Sequence, residues 1–175
     1  LDQASKFGLP VVMYTEGGGG RPGDTDVKTQ IAGLDVPSFA NWAGLSGRVP
    51  LIAVNNGYCF AGNAALFGCA DIRIATKTSW IGMAGPAMIE GGGLGSFKPT
   101  DIGPIDMQAS NGVVDLVADN EAHATDLAQS CLGYFQGDIH AWQAAELQQL
   151  RELMPAVRRC AYDIRNIIVQ LAETK

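Results

Sequence analysis

Residues 49–65 read Val49-Pro50-Leu51-Ile52-Ala53-Val54-Asn55-Asn56-Gly57-Tyr58-Cys59-Phe60-Ala61-Gly62-Asn63-Ala64-Ala65. The run from Val49 to Val54 is short, continuous and uncharged, which predicts a strand buried on both faces. Asn55-Asn56-Gly57 then supplies turn chemistry. The alanines and leucine of Ala61 to Phe67 favour helix. Strand, turn and small-residue helix recur outward from this stretch. Leu9 to Tyr14 forms a strand pattern that runs into Gly17-Gly18-Gly19-Gly20, and Asp71 to Ala75, Trp80 to Met83 and Val113 to Val117 predict further short strands. Strands alternating with helices define an α/β architecture.

The chain has 175 residues, 47% hydrophobic and 17% charged, with a mean hydropathy of +0.08. This composition excludes disorder for most of its length and suits one ordinary domain. Twelve basic against eighteen acidic residues give a net charge of −6, opposite to the footprint a phosphate backbone requires, so neither nucleic acid nor a membrane surface is expected as a partner. No stretch approaches the roughly 18 apolar residues of a membrane span. Leu1-Asp2-Gln3 does not open a signal peptide, and the expectation is a soluble intracellular protein. Cys59, Cys69, Cys131 and Cys160 show no C-x-x-C spacing and read as buried thiols. His123 and His140 form no i, i+4 pair and are assigned to the surface, so no protein-bound metal is expected.

All 22 glycines fall within residues 1–137, and the acidity belongs to this part. Residues 138–175 read as a helical segment, Ala141 to Met154 and then Tyr162 to Ala172 after the Pro155 break. Ile164, Ile167, Ile168 and Leu171 share one face of the second helix. A strand near the start and an apolar helix face near the end predict a piece of something larger.

The glycine runs fail the phosphate-binding templates. Gly18-x-Gly20-x-x-Gly23 matches the dinucleotide fingerprint in form, but Pro22 and Asp24-Thr25-Asp26 stand where its helix should open. No G-K-[ST] follows either run, and Ser46 lacks the second glycine of a nucleophile elbow. There remains close backbone approach at Gly57 to Ala65, where a strand ends, a helix begins, and free N–H groups converge with the helix dipole. Such a point stabilises an oxyanion, and one donor is worth about 3 kcal/mol of barrier. The residues alone leave a second reading open, that Gly62 and Ala64 only let the helix pack tightly.

With these residues in order, the sequence resembles the carboxyltransferase domain of biotin-dependent acyl-CoA carboxylases, in the crotonase-like superfamily. Gly8-Leu9-Pro10-Val11-Val12 followed by Glu16-Gly17-Gly18-Gly19-Gly20-Arg21 is similar to the family's first strand and glycine loop. Gly57-x-Cys59-x-Ala61-Gly62 is similar to its G-x-C-x-A-G-G turn, with Asn63 in place of the usual second glycine. Ile81 to Glu90 carries the M-A-G-P-x-x-I-E element, Asn111 to Asp115 follows, and Met154-Pro155 with Tyr162 to Arg165 resembles the approach to a second half. The implied fold is a crotonase-like ββα-superhelix, an incomplete fragment of residues 1–137 with a helical C-terminal extension.

The resemblance implies transfer of a carboxyl group from carboxybiotin to the α-carbon of an acyl-CoA, with the decarboxylated biotin ring as the base. The carboxybiotin arrives on a biotin carboxyl carrier domain loaded by a biotin carboxylase. The site is shared between a first half and the second half of a partner chain, so a homo-oligomer, at least a dimer, is implied, in the cytoplasm or the mitochondrial matrix. The fragment alone is expected to be inactive. The N–H groups of Gly62 and Asn63 are candidates for holding the thioester enolate. Gly18, Gly19, Gly20 and Arg21 are candidates for the CoA side, Tyr58, Phe60 and Ala61 for shaping the anion site, and Gly85, Pro86 and Ala87, with Gly91 to Gly93, for lining the cleft. Glu90 and Asp115 are expected to be structural. Alternatives are crotonase-type hydratase or isomerase chemistry, a biotin-dependent acyl-CoA decarboxylase, or a non-catalytic assembly subunit.

Overall fold

The computed structural model describes residues 1–18, 37–138, 147–157 and 159–172. It divides into two compact units, Leu1–Gln136 and Gly137–Lys175. In the first, the elements run α1 (Asp2–Phe7), β1 (Val11–Tyr14), α2 (Ser38–Ala43), β2 (Leu51–Asn55), β3 (Tyr58–Phe60), α3 (Gly62–Gly68), β4 (Ile72–Thr76), β5 (Trp80–Gly82), α4 (Pro86–Gly91), α5 (Ile105–Ser110), β6 (Leu116–Ala118) and α6 (Glu121–Gly133).

Strand β2 is buried at every residue, and it lies inside a four-stranded parallel sheet of order β1-β2-β4-β6. Its register places Val12 and Ile72 on either side of Ile52. Because side chains alternate along a strand, Leu51 and Ala53 enter one core cluster with Trp42, Leu45, Phe67 and Ile81. Ile52 and Val54 enter another with Ile74, Ala124, Ala128 and Cys131. Helix α6 supplies the last three of these, and its start is capped by Asn120, whose Oδ1 accepts from the His123 amide at 3.0 Å.

A second parallel sheet pairs β3 with β5, Tyr58 opposite Trp80 and Phe60 opposite Gly82. Gly17 extends its edge through a bridge to Cys59. The chain thus passes from the first sheet to the second at Thr15-Glu16, at Asn56-Gly57 and at Lys77 to Ser79, and helices α3 and α4 follow the last two passages. This is a coil of ββα turns. Gly57 makes its corner with φ 126°, a conformation that a Cβ disfavours.

Several expectations shift. Tyr58 to Phe60, read as part of a turn, is a strand. Val113 and Val114 are not strand residues, because both amides bond the Gln108 carbonyl, and β6 starts only at Leu116. Helices α1, α2, α4, α5 and α6 are additions to the sequence reading. Cys59 and Cys131 are buried, but Cys69 and Cys160 are exposed. Cys69 follows the last turn of α3 and so leaves the packed face. Trp42 is fully buried, with its Nε1 donating to the Leu66 carbonyl at 2.9 Å. His140 and Trp142 lie outside the described residues.

The second unit contains α7 (Leu147–Leu153) and α8 (Arg165–Leu171). The earlier part of the first helix read from sequence lies outside the described residues. Helix α8 begins later than Tyr162 because the Asp163 carboxylate accepts the Arg165 amide at 3.0 Å. No helix among the described residues is long and apolar enough to cross a membrane.

Candidate functional site

The site is built where β3 ends. Ala61 has φ 52° and ψ −121° and is the one non-glycine residue with positive φ among the described residues. Such a conformation costs of order 1 kcal/mol or more and persists only where its surroundings fix it. Here the Ala61 amide donates to the Gly82 carbonyl at 3.0 Å. The sharp corner turns the chain directly into α3. The amides of Gly62, Asn63 and Ala64 open the helix, where intrahelical acceptors do not exist, and no side chain caps them.

Two glycines flank this start for different reasons. A Cβ on Gly62 would lie 2.7 Å from Cζ of Phe39, so glycine lets the α2 ring rest against the helix backbone. A Cβ on Gly17 would lie 2.8 Å from Nδ2 of Asn63. The Asn63 side chain reaches back across the coil, and its Nδ2 donates to the carbonyls of Thr15 at 3.1 Å and Glu16 at 3.2 Å. Gly17 is pinned in turn to β3, its amide donating to the Tyr58 carbonyl at 2.7 Å while its carbonyl accepts from the Phe60 amide at 2.9 Å.

The corner before Gly17 is firmly held. Thr15 is buried, and its hydroxyl donates to the Val54 carbonyl at 3.2 Å. Glu16 Oε1 accepts the Asn56 amide at 2.7 Å. Cys59 lies beneath, and its thiol is pushed up to about 11, chiefly by burial, with the Thr15 hydrogen bond opposing and the Glu16 charge reinforcing. It is therefore a neutral packing group at physiological pH, not a nucleophile.

Of the residues expected from sequence, Gly62, Asn63 and Ala61 meet at the α3 start. Gly18 follows the Gly17 edge and is exposed, whereas Gly19, Gly20 and Arg21 lie outside the described residues. Phe60 is buried and sits against Gly85, whose added Cβ would meet the Phe60 ring at 3.7 Å. Gly85 and Pro86 form the start of α4, with Pro86 in its first turn. Ala87 is exposed. Tyr58 is 42% exposed and leans on Trp80 at 5.0 Å and Phe60 at 5.6 Å between ring centroids. Gly91 ends α4 and Gly92 and Gly93 follow it. Glu90 lies in the last turn of α4, exposed.

Asp115 grips Arg73 through two side-chain hydrogen bonds of 2.9 Å. Burial tends to raise its carboxyl, but the Arg73 side-chain and backbone hydrogen bonds outweigh that and hold it below the usual range. Among the described residues no group of three or more His, Cys, Asp or Glu side chains is placed to hold a metal ion.

Sequence reasoning missed Phe39, whose neighbours carry no periodic pattern, and the backward reach of the Asn63 amide. A polar residue between Gly62 and Ala64 at a helix start was the available signal. The Thr15 and Glu16 carbonyls carried none, since only the fold brings them to α3.

A coil of parallel ββα turns with unpaired amides at a strand-to-helix corner defines the crotonase-like class, and solved structures agree. The chain superposes on a single-chain, multi-domain long-chain acyl-CoA carboxylase with a TM-score of 0.82 at 56% identity, covering 95% of this chain and 16% of that one. It also matches the transcarboxylase 12S structure with a TM-score of 0.74 at 24% identity, covering 95% of this chain and 34% of that one. The profile of the carboxyl transferase domain matches residues 1–175. The chain belongs to the carboxyl transferase domain family.

Among curated relatives are the methylmalonyl-CoA carboxyltransferase 12S subunit of Propionibacterium freudenreichii subsp. shermanii, 24% identical over 99% of this chain and 34% of that protein, and the propionyl-CoA carboxylase beta chain of Rhodococcus erythropolis, 26% identical over 99% of this chain and 37% of that protein. The chain therefore spans about a third of the length of these relatives.

Proposed function

We propose that this chain contributes the acyl-CoA side of a carboxyltransferase site in a biotin-dependent acyl-CoA carboxylase, where the amides of Gly62 and Asn63 hold the thioester oxygen as negative charge develops on it. The observation that carries the reading is the start of α3, where donors without intrahelical acceptors emerge from the Ala61 corner beside the Gly17-Gly18 backbone. Fixed backbone dipoles of this kind need no reorganisation as the enolate forms, and they stabilise it more than they stabilise the neutral thioester.

Carboxybiotin, when delivered, supplies the carboxyl group and, after losing it, a base for the α-proton. The chain's own residues position and stabilise. Gly62 and Asn63 orient the thioester, Gly18 to Gly20 and Arg21 border the CoA moiety, and Phe60, Gly85, Pro86 and Ala87 form the apolar side of the cleft, with Tyr58 at its rim. The described residues match a thioester oxygen; the ureido ring of biotin is assigned to none of them. The full assembly, with a carrier domain, a biotin carboxylase and at least two copies of this chain, is part of the proposal. So is a division of the chain into a crotonase-like core over residues 1–137 and a helical lead into a second half over 138–175.

Hydratase chemistry needs a carboxylate aimed at the bound acyl group. Glu16 is engaged with the Asn56 amide, and Glu90 stands exposed in the last turn of α4, so neither geometry favours it.

The test is reverse carboxyl transfer by the full-length gene product with free biotin and a panel of malonyl-type CoA thioesters. Decarboxylation of one thioester only when biotin is present is the expected result and names the acyl group. Turnover of enoyl-CoA, or no turnover in any complete assembly, would overturn the reading. Gly62→Val should lower transfer roughly 100-fold or more, the scale of losing one oxyanion donor, because its side chain meets Phe39 and displaces the helix start.

A further inference from the structure

The Asn63 side chain stands apart from the rest of the site because it joins two successive turns of the coil. Its backbone belongs to the first turn of α3, whereas the atoms it touches belong to the corner where the chain leaves β1. At that corner the Thr15 amide still pairs with the Val54 carbonyl at 2.9 Å, but Thr15 and Glu16 are passing between sheets, and their carbonyls turn away from the ladder. The carbonyl of buried Thr15 must find a donor, and that of exposed Glu16 lies beside it. One side-chain amide, with its two N–H bonds, serves both.

The geometry around this contact leaves little slack. Gly17 has φ 151° and a backbone whose virtual Cβ falls 2.8 Å from Asn63 Nδ2. The carboxamide therefore packs directly on the Gly17 α-carbon while holding the two preceding carbonyls. Beyond the contact, both sides are anchored: Glu16 through the Asn56 amide, Gly17 through both its hydrogen bonds to β3, and Ala61 through Gly82. Asn63 is the side chain that fixes the spacing between the glycine corner and the α3 start.

We propose that Asn63 is a positioning residue, whose side-chain amide sets the Gly17-Gly18 backbone against the Gly62 and Asn63 amides so that the two borders of the thioester site keep a fixed separation. The inference rests on the carboxyltransferase reading for its chemistry, but the strut itself is a property of this chain.

Two substitutions separate positioning from bulk. Asn63→Ala removes the donor and leaves the backbone amide in place. Asn63→Asp keeps the shape but turns an oxygen toward two carbonyl oxygens. In the complete enzyme, Asn63→Ala should lower kcat on the order of 10- to 100-fold, the cost of a displacement near 1 Å, while KM for the acyl-CoA changes less than about threefold. Asn63→Asp should be worse than Asn63→Ala. A residue that only fills space would give the reverse order.

Hydrogen exchange of the complete enzyme supplies a readout independent of turnover. Asn63→Ala should speed exchange at Gly17 and Gly18 and leave β2 unchanged. Asn120→Ala, which removes the α6 cap, serves as the stability control and should lower Tm without changing the exchange at Gly17 and Gly18. Unaltered exchange there in Asn63→Ala, wild-type kcat in Asn63→Asp, or a kcat loss that merely follows Tm as in the control would each overturn the proposal. If the wild-type enzyme transfers no carboxyl group, the functional reading fails, and the exchange data alone decide whether the strut exists.

Discussion

The two sheets of the first unit divide the work unequally. The four-stranded sheet is aliphatic at its inner strands, and β2 is buried at every residue. The two-stranded sheet has strands of three residues each, and its neighbours are glycine corners, an Ala61 in a strained conformation and carbonyls served by side chains. The first gains stability from apolar area. The second buries only Cys59, Phe60 and Ile81 and also places backbone groups, so its tolerances are set by close approach.

That contrast is broken most severely at Gly103. A Cβ there would lie 1.8 Å from the Ile81 carbonyl oxygen, at a φ of 57°. Gly103→Ala should cost about 4 kcal/mol or more, in the range reserved for backbone conflict, which denaturant titration would read as a collapse of Cm. A loss under about 1 kcal/mol, the ordinary scale of a point mutation, would mean that the small sheet adapts and the division is wrong.

The matching change in the large sheet is Leu51→Ala. Leu51 is fully buried beside Trp42 and Phe67, and its loss should cost about 3 kcal/mol through transfer and cavity effects. The same titration checks it, and the slope m should be unchanged.

The buried thiol sharpens the comparison in the pH dimension. The Cys59 value is raised, chiefly by burial, so the folded state holds the proton more tightly than the unfolded one. Its contribution is fully present below the unfolded thiol value of about 8.5 and is lost as pH rises through about 11. Wild type should therefore lose stability over that alkaline window, and Cys59→Ala should flatten the slope. Exposed Cys69 and Cys160 should react with iodoacetamide in the native protein while Cys59 does not.

The smallest effect belongs to the Arg73–Asp115 pair at the end of the large sheet, whose side chains are 26% and 38% exposed. Solvent screening limits such a pair, and Asp115→Asn should cost no more than about 1 kcal/mol. Because the Asp115 value is lowered, its contribution is present above the unfolded carboxylate value of about 3.9 and lost as pH falls below that through the folded value. An acid titration of wild type against Asp115→Asn would show this.

The same contrast explains what could be read from residues alone. The large sheet announced itself, since the continuous apolar run Val49 to Val54 and the alternation of Ile72 and Ile74 with charged Asp71 and Arg73 survive as β2 and β4. The α/β class and the crotonase-like likeness followed from those runs and from the ordered glycine motifs. Strand β3 reads as a turn in the sequence because Tyr58-Cys59-Phe60 sits between Gly57 and Gly62, and glycine punctuation overrides a strand propensity that three residues cannot express. Helix α6 has a weak signature in the sequence although Asn120 caps it, because its buried face is alanine and cysteine, which give little periodic contrast. The helix start at Gly62 and Asn63 was legible from the strand-to-helix pattern, and the choice of these two amides as donors came from the family resemblance. The partner of the Asn63 side chain was not legible, since hydrogen bonds across turns of a coil depend on tertiary closure.

The parallel pairing of every strand ladder among the described residues also governs how this unit must assemble. No strand meets its partner through a hairpin. The Gly17 to Cys59 bridge waits until a long stretch of chain has been gathered, and loop closure must be completed before the contact returns any energy. A coil of this kind has high contact order, and its refolding belongs in the millisecond-to-second regime of non-local topologies rather than the microseconds of helical bundles. During that interval the aliphatic edge of β2 is open to the wrong partner. Its collapse into aggregates, more than the native state's free energy, sets the concentration at which the chain can be refolded.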